Sequence, residues 1–379
     1  MESLGTTQPG EFPHLMLREI YEQPSAVAEA IRCHVSGGHI FRGELEPIED
    51  ALKKFNRLVI AASGSSRHAG LAGEIMIEDV AGVAVDVEYS SEYGNRSTQA
   101  AAEPLVMAIT QSGETADTIA ALRVAHTRGA RTIAISNVAG STISREADIS
   151  LMSCAGPELS VPATKSFTTQ LTVLFLFALY WAQKRERIAS GTVASHLNQL
   201  QELPELLRIN LPDWDAQARN WACQHKEAQT FLYLGRGVHY PIAREGALKL
   251  KEISYIHGEG YPTGELKHGP NALVDAQSPV VLLATCDRDD PDSVKRYSKT
   301  LGVIEDIRKQ DGQVLAIVTE DDSEVRRFTD NVIPVPPAAE LLSPVLEVVP
   351  LQLFAYYVAV LNGCDVDHPR NLVKAVTRE

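Results

Sequence analysis

A chain of 379 residues with 44% hydrophobic side chains is long enough for two globular domains with buried cores. Its formal charge of -14 excludes a broad phosphate-backbone footprint, which needs lysine and arginine gathered on one face, so no nucleic-acid partner is expected. The five cysteines, odd in number and without CxxC or metal-like spacing, exclude a disulfide framework and read as thiols of a reducing, cytoplasmic compartment.

The opening stretch, MESLGTTQPGEFPHLM, has no basic start followed by an apolar core. It is expected to be a natural start and a loose arm, not a signal peptide, and residues 1–40 are assigned to that arm and a helix. Apolar runs of strand length then alternate with stretches of helical period: RLVIAAS, RHAGLAGEIMIEDVAG, PLVMAIT, TADTIAALRVAHTRG and RTIAISN. That alternation predicts a parallel sheet covered by helices over residues 41–190. A polar helical connector is expected at 191–214. The first pattern then returns, with TFLYLGRG and YPIAREGALKLKEIS answering the first strand and helix, and PVVLLAT answering PLVMAIT. A second similar domain is therefore assigned to 215–362, followed by a tail over 363–379 that closes the active site. The fold class expected is α/β, two tandem domains each with a parallel sheet flanked by helices, flavodoxin-like in three αβα layers. LTVLFLFALYWA (171–182) and VVPLQLFAYYVAVL (348–361) invite a membrane reading. Both fall short of the roughly 20 residues that span a bilayer, and the second holds Pro350, so both are expected to be buried helices, with no membrane partner.

The two copies differ at the ends of their strands. TQSGETADT (110–118) offers hydroxyls and one glycine at the opening of a helix, where backbone N–H groups and the helix dipole favour a phosphate. Thr110, Gln111, Ser112 and Thr115 are its donors, and Gly113 permits the turn. Ser63, Ser65 and Ser66 follow the first strand at the carboxyl edge where open α/β sheets bind ligands. The same residues also suit plain N-caps and turns, and no Gly-Lys-Ser/Thr is present to imply a nucleoside triphosphate. The matching stretch of the second copy, TCDRDDPDS (285–293), is crowded with aspartates that would repel an anion, so one working phosphate site per chain is expected.

On the helix through 241–254, Glu245, Lys249 and Glu252 share a face at spacings of four and three. Such a row is either a solvated ion-pair ladder or a lysine holding a carboxylate ionised for proton transfer between adjacent carbons. His268, in the loop after it, is either a surface residue or a second acid/base. Spacing does not separate these readings.

EGALKLKEISYIH, GELKHGP, TQSGETADT, TKSFTTQL and DVDHPRNLVKAVTRE resemble the isomerase half of the glutamine:fructose-6-phosphate aminotransferase (glucosamine-6-phosphate synthase) family, built from two sugar isomerase (SIS) domains. The likeness runs from about Arg18 to Glu379. It implies Glu252 as the base that moves a proton between C1 and C2 of the open-chain sugar, with Lys249 beside it. It implies His268 as the ring-opening residue reaching a neighbouring subunit, hence a homodimer, and Lys374 as the amine that forms a Schiff base with the ketose. Ser66, Thr110, Gln111, Ser112 and Thr115 match phosphate positions, and Ser65, Val161, Ala163 and Val373 match the surroundings of the sugar. Two departures are visible: Thr110 replaces a serine with its donor kept, and Ala163 stands where the family has a serine near the sugar hydroxyls.

The family's complete synthase carries an N-terminal glutaminase domain, and here Met1 is followed by Glu2 with only about 40 residues before the first SIS domain. Without an internal ammonia source, the expected activity is glucosamine-6-phosphate deamination to fructose 6-phosphate and ammonia. The alternatives are the isomerase half of a synthase, a deglycase of phosphorylated sugar-amines, and a sugar-phosphate sensor without chemistry. No metal or organic cofactor is called for, because bonds next to a carbonyl yield to acid, base and imine chemistry. The eleven histidines form no HExxH pair.

Overall fold

The computed structural model of the chain describes residues 12–41, 43–95 and 105–377. Residues 1–11 of the expected arm and the last two of the tail lie outside the described residues. In chain order the elements are α1 (Leu15–Tyr21), α2 (Gln23–His34), a small ladder of β1 (Val35–Ser36) and β2 (His39–Ile40), α3 (Glu49–Leu52), β3 (Arg57–Ala62), α4 (Gly64–Ala81), β4 (Ala84–Tyr89), α5 (Ser90–Tyr93), β5 (Leu105–Ile109), α6 (Ala116–Thr127), β6 (Arg131–Ser136), α7 (Thr142–Glu146), β7 (Ile149–Met152) and α8 (Lys165–Lys184). Then follow α9 (Ser190–His225), β8 (Thr230–Gly235), α10 (His239–Ser254), β9 (His257–Pro262), β10 (Val280–Ala284), α11 (Pro291–Arg308), β11 (Val314–Thr319), β12 (Val332–Val335) and α12 (Ser343–Leu361).

Two five-stranded sheets result, ordered β4-β3-β5-β6-β7 and β9-β8-β10-β11-β12, and every pairing in both is parallel. Within each sheet this is the flavodoxin-like order in which the second strand flanks the first and the chain then reverses direction across the sheet. The predicted α/β class and its internal repeat are therefore present. The strands are apolar throughout because both faces are covered: β5 and β10 are buried at every position, and β3 at every position after Arg57.

The chain divides into two compact units. One takes Ala26–Glu158, Lys165–Glu202 and the tail from Val373, and carries the first sheet. The other takes the chain up to Ser25, Leu159–Thr164 and Leu203–Leu372, and carries the second. In the first unit α8 is buried from Lys165 to Ala182 without interruption. Each of its fully buried phenylalanines contributes roughly 1.5–3 kcal/mol of transfer free energy.

Two helices exceed what local sequence suggests. α9 continues through Pro204 and Pro212 as one helix from Ser190 to His225. α12 starts at Ser343, before the expected stretch, and carries Pro350 inside it. Pro350 has no N–H to give the preceding turn, yet burial of 83% of the helix's apolar window outweighs that loss. By length and composition α12 could cross a membrane, but it is packed as a core helix.

Candidate active site

In the first-sheet unit the chain direction reverses between β3 and β5, and ligands of such sheets bind in the crevice this leaves. The register Ala62↔Ile109 sets the segments that follow these two strands side by side. Thr110 is buried and ends β5, its N–H donating to the Ile135 carbonyl at 3.0 Å. Gly113 follows with φ +72°, and a Cβ there would lie 2.0 Å from Ser141 Oγ, so glycine is required. Ser63 and Thr115 occupy the N-cap positions of α4 and α6, yet neither makes a side-chain capping bond. Among the described residues Ser63 and Thr115 are therefore not used as caps, whereas Ser112 is used in a turn. Thr115 Oγ1 pairs with Thr110 Oγ1 at 2.9 Å, and Ser112 Oγ accepts from the Glu114 N–H at 3.1 Å. Glu114 is held below the usual carboxylate range by the Thr142 N–H and points to that backbone. Ser66, buried in the first turn of α4, accepts from Gln170 Nε2 of α8 at 3.1 Å, with Ser65 half-buried beside it. Gln111 is half-buried in the same loop.

The tail reaches this loop. The Ala116 N–H, first in α6, donates to the Val376 carbonyl at 2.9 Å. Two residues back, Lys374 Nζ lies 2.6 Å from Glu158 Oε2. Glu158 is fully buried and also accepts from the Ser166 N–H at 3.0 Å and Ser166 Oγ at 2.8 Å, so it is fixed against the start of α8. Lys374 keeps 24% exposure, and Val373 beside it is 64% exposed.

The second-sheet unit holds the remaining predicted residues. On α10, Lys249 Nζ lies 2.6 Å from Glu252 Oε2 and 3.4 Å from Glu245 Oε1. Glu245 and Lys249 are buried while Glu252 retains 23% exposure, so the row is not a solvated ladder. Burying a lysine between two acids is costly, and only the Glu252 end opens outward. His268 closes a short 3-10 helix, is exposed, and makes no hydrogen bond or ion pair among the described residues. Val161 is tied by its N–H to the Asp367 carbonyl at 3.0 Å, and Ala163 is half-buried two residues on. The buried Glu19 carboxylate accepts from the N–H groups of Leu159 and Ser160 and from Ser160 Oγ, which holds this segment.

Thus the first-sheet unit assembles Ser65, Ser66, Thr110, Gln111, Ser112, Thr115, Val373 and Lys374, and the second holds Lys249, Glu252, His268, Val161 and Ala163. Sequence reasoning missed Glu158, Glu19 and Gln170. Its available signal was a single acid or amide inside a stretch of small or apolar residues, as in CAGPELS and TTQLTVLF.

A family model described as the SIS domain matches residues 51–180 and again 226–362. Over its full length the chain is 45% identical to the isomerizing glutamine:fructose-6-phosphate aminotransferase of Chlorobaculum tepidum, and over 97% of it 44% identical to that of Methanosarcina acetivorans. It spans about 60% of the length of these curated relatives. It is also similar to the C-terminal domain of glucosamine-fructose-6-phosphate aminotransferase from Francisella tularensis, with a TM-score of 0.89 and 36% identity over 96% of this chain and all of that one. A glucosamine-6-phosphate deaminase from Thermotoga maritima matches at a TM-score of 0.69 and 21% identity over 96% of this chain and 99% of that one, a likeness of fold.

Proposed function

The chain belongs to the SIS domain family, and we propose that it carries the sugar-isomerising half of an aminotransferase acting on fructose 6-phosphate. The loop from Thr110 to Thr115, with Ser66, binds the phosphate. His268 opens the ring. Lys374, held beside Glu158, attacks C2 of the open ketose as the free amine and forms an imine with loss of water. Ammonia displaces the lysine, Glu252 takes a proton from C1, and the enamine is reprotonated at C2, giving the 2-amino aldose. Without ammonia, the same C1-to-C2 transfer on the free ketose gives glucose 6-phosphate. A homodimer is part of this reading, supported by an exposed His268 with no partner among the described residues. So is a cytoplasmic setting, supported by five unpaired thiols.

The observation that carries the proposal is the Lys374–Glu158 contact, on a tail hydrogen-bonded to the first residue of the phosphate helix. Deamination of glucosamine 6-phosphate is the same path run backwards with the same groups. The aminotransferase side is favoured by relatives at 45% and 44% identity, against a deaminase whose likeness lies in the fold.

The test supplies purified protein with fructose 6-phosphate alone, with fructose 6-phosphate plus ammonium, and with glucosamine 6-phosphate. Expected are glucose 6-phosphate in the first and glucosamine 6-phosphate in the second, with Glu252→Gln slowing both by about 10²–10⁴-fold. Borohydride should fix one reduced hexose phosphate on the peptide bearing Lys374. Turnover of glucosamine 6-phosphate alone would shift the assignment to a deaminase. Silence in all three, with nothing trapped on Lys374, would overturn the enzyme reading.

A further inference from the structure

The second sheet has the same crevice, between β8 and β10, and no part of the proposed chemistry uses it. Counting from the strand starts, Arg57 against Thr230 and Leu105 against Val280, His239 stands where Ser66 stands and Thr285 where Thr110 stands. Two of the four aspartates of this loop are turned to backbone: Asp290 accepts from the Asp292 N–H, and Asp287 accepts from the N–H groups of Asp289 and Glu340. What faces the crevice is Glu340, in the connector before α12. One carboxylate oxygen accepts from His239 Nε2 at 3.0 Å and from Arg296 Nε, the other from Ser293 Oγ at 2.7 Å and Arg296 Nη2 at 2.9 Å. Four donors of three side chains on one acid is the coordination of a bound oxyanion. Behind them, His239 Nδ1 lies 2.7 Å from Glu347 Oε1, which also receives the Thr285 hydroxyl. With an acid at each ring nitrogen, His239 must donate from both, so it is an imidazolium. Arg296 Nη1 is buried with no hydrogen-bond partner, on a side chain only 8% exposed. That donor lies on the guanidinium edge away from the one that holds Glu340, so Arg296 serves the pocket through Nε and Nη2.

We propose that the second sheet contains an oxyanion pocket of phosphate type, occupied by the chain's own Glu340 in place of a ligand. In the intact protein the pocket is closed to outside anions. With Glu340 removed, His239, Ser293 and Arg296 take inorganic phosphate.

The experiment titrates inorganic phosphate by calorimetry into the full chain, wild type and Glu340→Ala, with chloride at equal ionic strength as control. The readout is the difference in sites per chain, so it stands whether or not the first loop binds phosphate. Expected is one additional phosphate in Glu340→Ala, lost again in Glu340→Ala/Arg296→Met, and a rise of several degrees in the melting temperature of the single variant beyond that of wild type. An equal count in folded wild type and variant overturns the proposal, as does a gained site that survives loss of Arg296. Rescue of the melting temperature by formate but not by phosphate also overturns it, leaving a hole shaped only for a carboxylate. Should Glu340→Ala unfold in chloride, refolding in phosphate alone supports the proposal and failure in both buffers overturns it.

Discussion

The crevices of the two sheets share a strand order and differ in how their polar groups are used. The strand-end side of the first is neutral, Ser66 with Gln170 and Thr110 with Thr115, hydroxyls and an amide that can exchange partners at small cost. The second is charged and internally matched: His239 with Glu347 and Glu340, Arg296 with Glu340. A binding crevice needs donors whose present partners are weak, because a ligand must displace them. A buried charge network resists displacement, because removing one member strands the others. In the second crevice a histidine stands where Ser66 stands in the first, and Glu340 and Glu347 pair with it.

That contrast can be broken in four ways, from the largest effect down. Arg296→Met should cost about 3–5 kcal/mol of unfolding free energy in urea, because Glu340, largely buried, loses the guanidinium that gives it two of its four hydrogen bonds. A cost below about 1 kcal/mol would show that the second crevice is no tighter than the first. Next, Ser112→Ala/Thr115→Val should raise KM for fructose 6-phosphate by roughly 10²-fold through two lost bonds to a charged group, while the urea midpoint barely moves. An equal loss of stability would make those hydroxyls structural.

Third comes pH. Burial, and behind it Arg296, would push His239 down, but the Glu347 charge and the hydrogen bonds it donates to both acids outweigh them and hold it above the usual histidine range. A raised value means stability that is fully present below the unfolded value of about 6.5 and lost as pH rises through the folded one. Unfolding free energy should fall by up to about 1.4 kcal/mol per pH unit across that window, and His239→Gln should flatten the fall. Glu340 is displaced the other way: burial opposes it, but His239 and Arg296 hold it far below the usual carboxylate range. Its contribution persists above pH 4.5 and is lost only in strong acid. Ser66→Ala, on the neutral side, should leave the pH profile unchanged. Smallest is Gln170→Leu, which removes one neutral hydrogen bond and should cost about 1 kcal/mol in the same denaturation assay.

The repeat, the parallel sheets and the loops at their ends were legible because each is written in local pattern: β3 and β10 as apolar runs, Thr110 to Thr115 as hydroxyls at a helix start. The contacts that decide how the crevices are used were not. Glu158 meets Lys374 from 216 residues away and His239 meets Glu347 from 108, and no period or spacing encodes such a meeting. The aspartates of 285–293 were expected to keep an anion out by repulsion. Two of the four, Asp287 and Asp290, accept backbone N–H groups, and Glu340, which carried no local signal, takes the donors of His239, Ser293 and Arg296. The stretch holding Pro350 is the buried helix expected of it, longer at its start than the apolar run showed.

The interleaving of the two units has a consequence for anyone dissecting the gene. Each unit draws on three separated stretches of chain, and the stretch that completes the first begins only at Val373. A fragment stopped at Glu202 would keep Glu158 and the phosphate loop but lack the amine and the Val376 carbonyl that Ala116 uses. Isolating that unit intact calls for splicing, with the last residues grafted onto the fragment through a new linker in place of the second sheet.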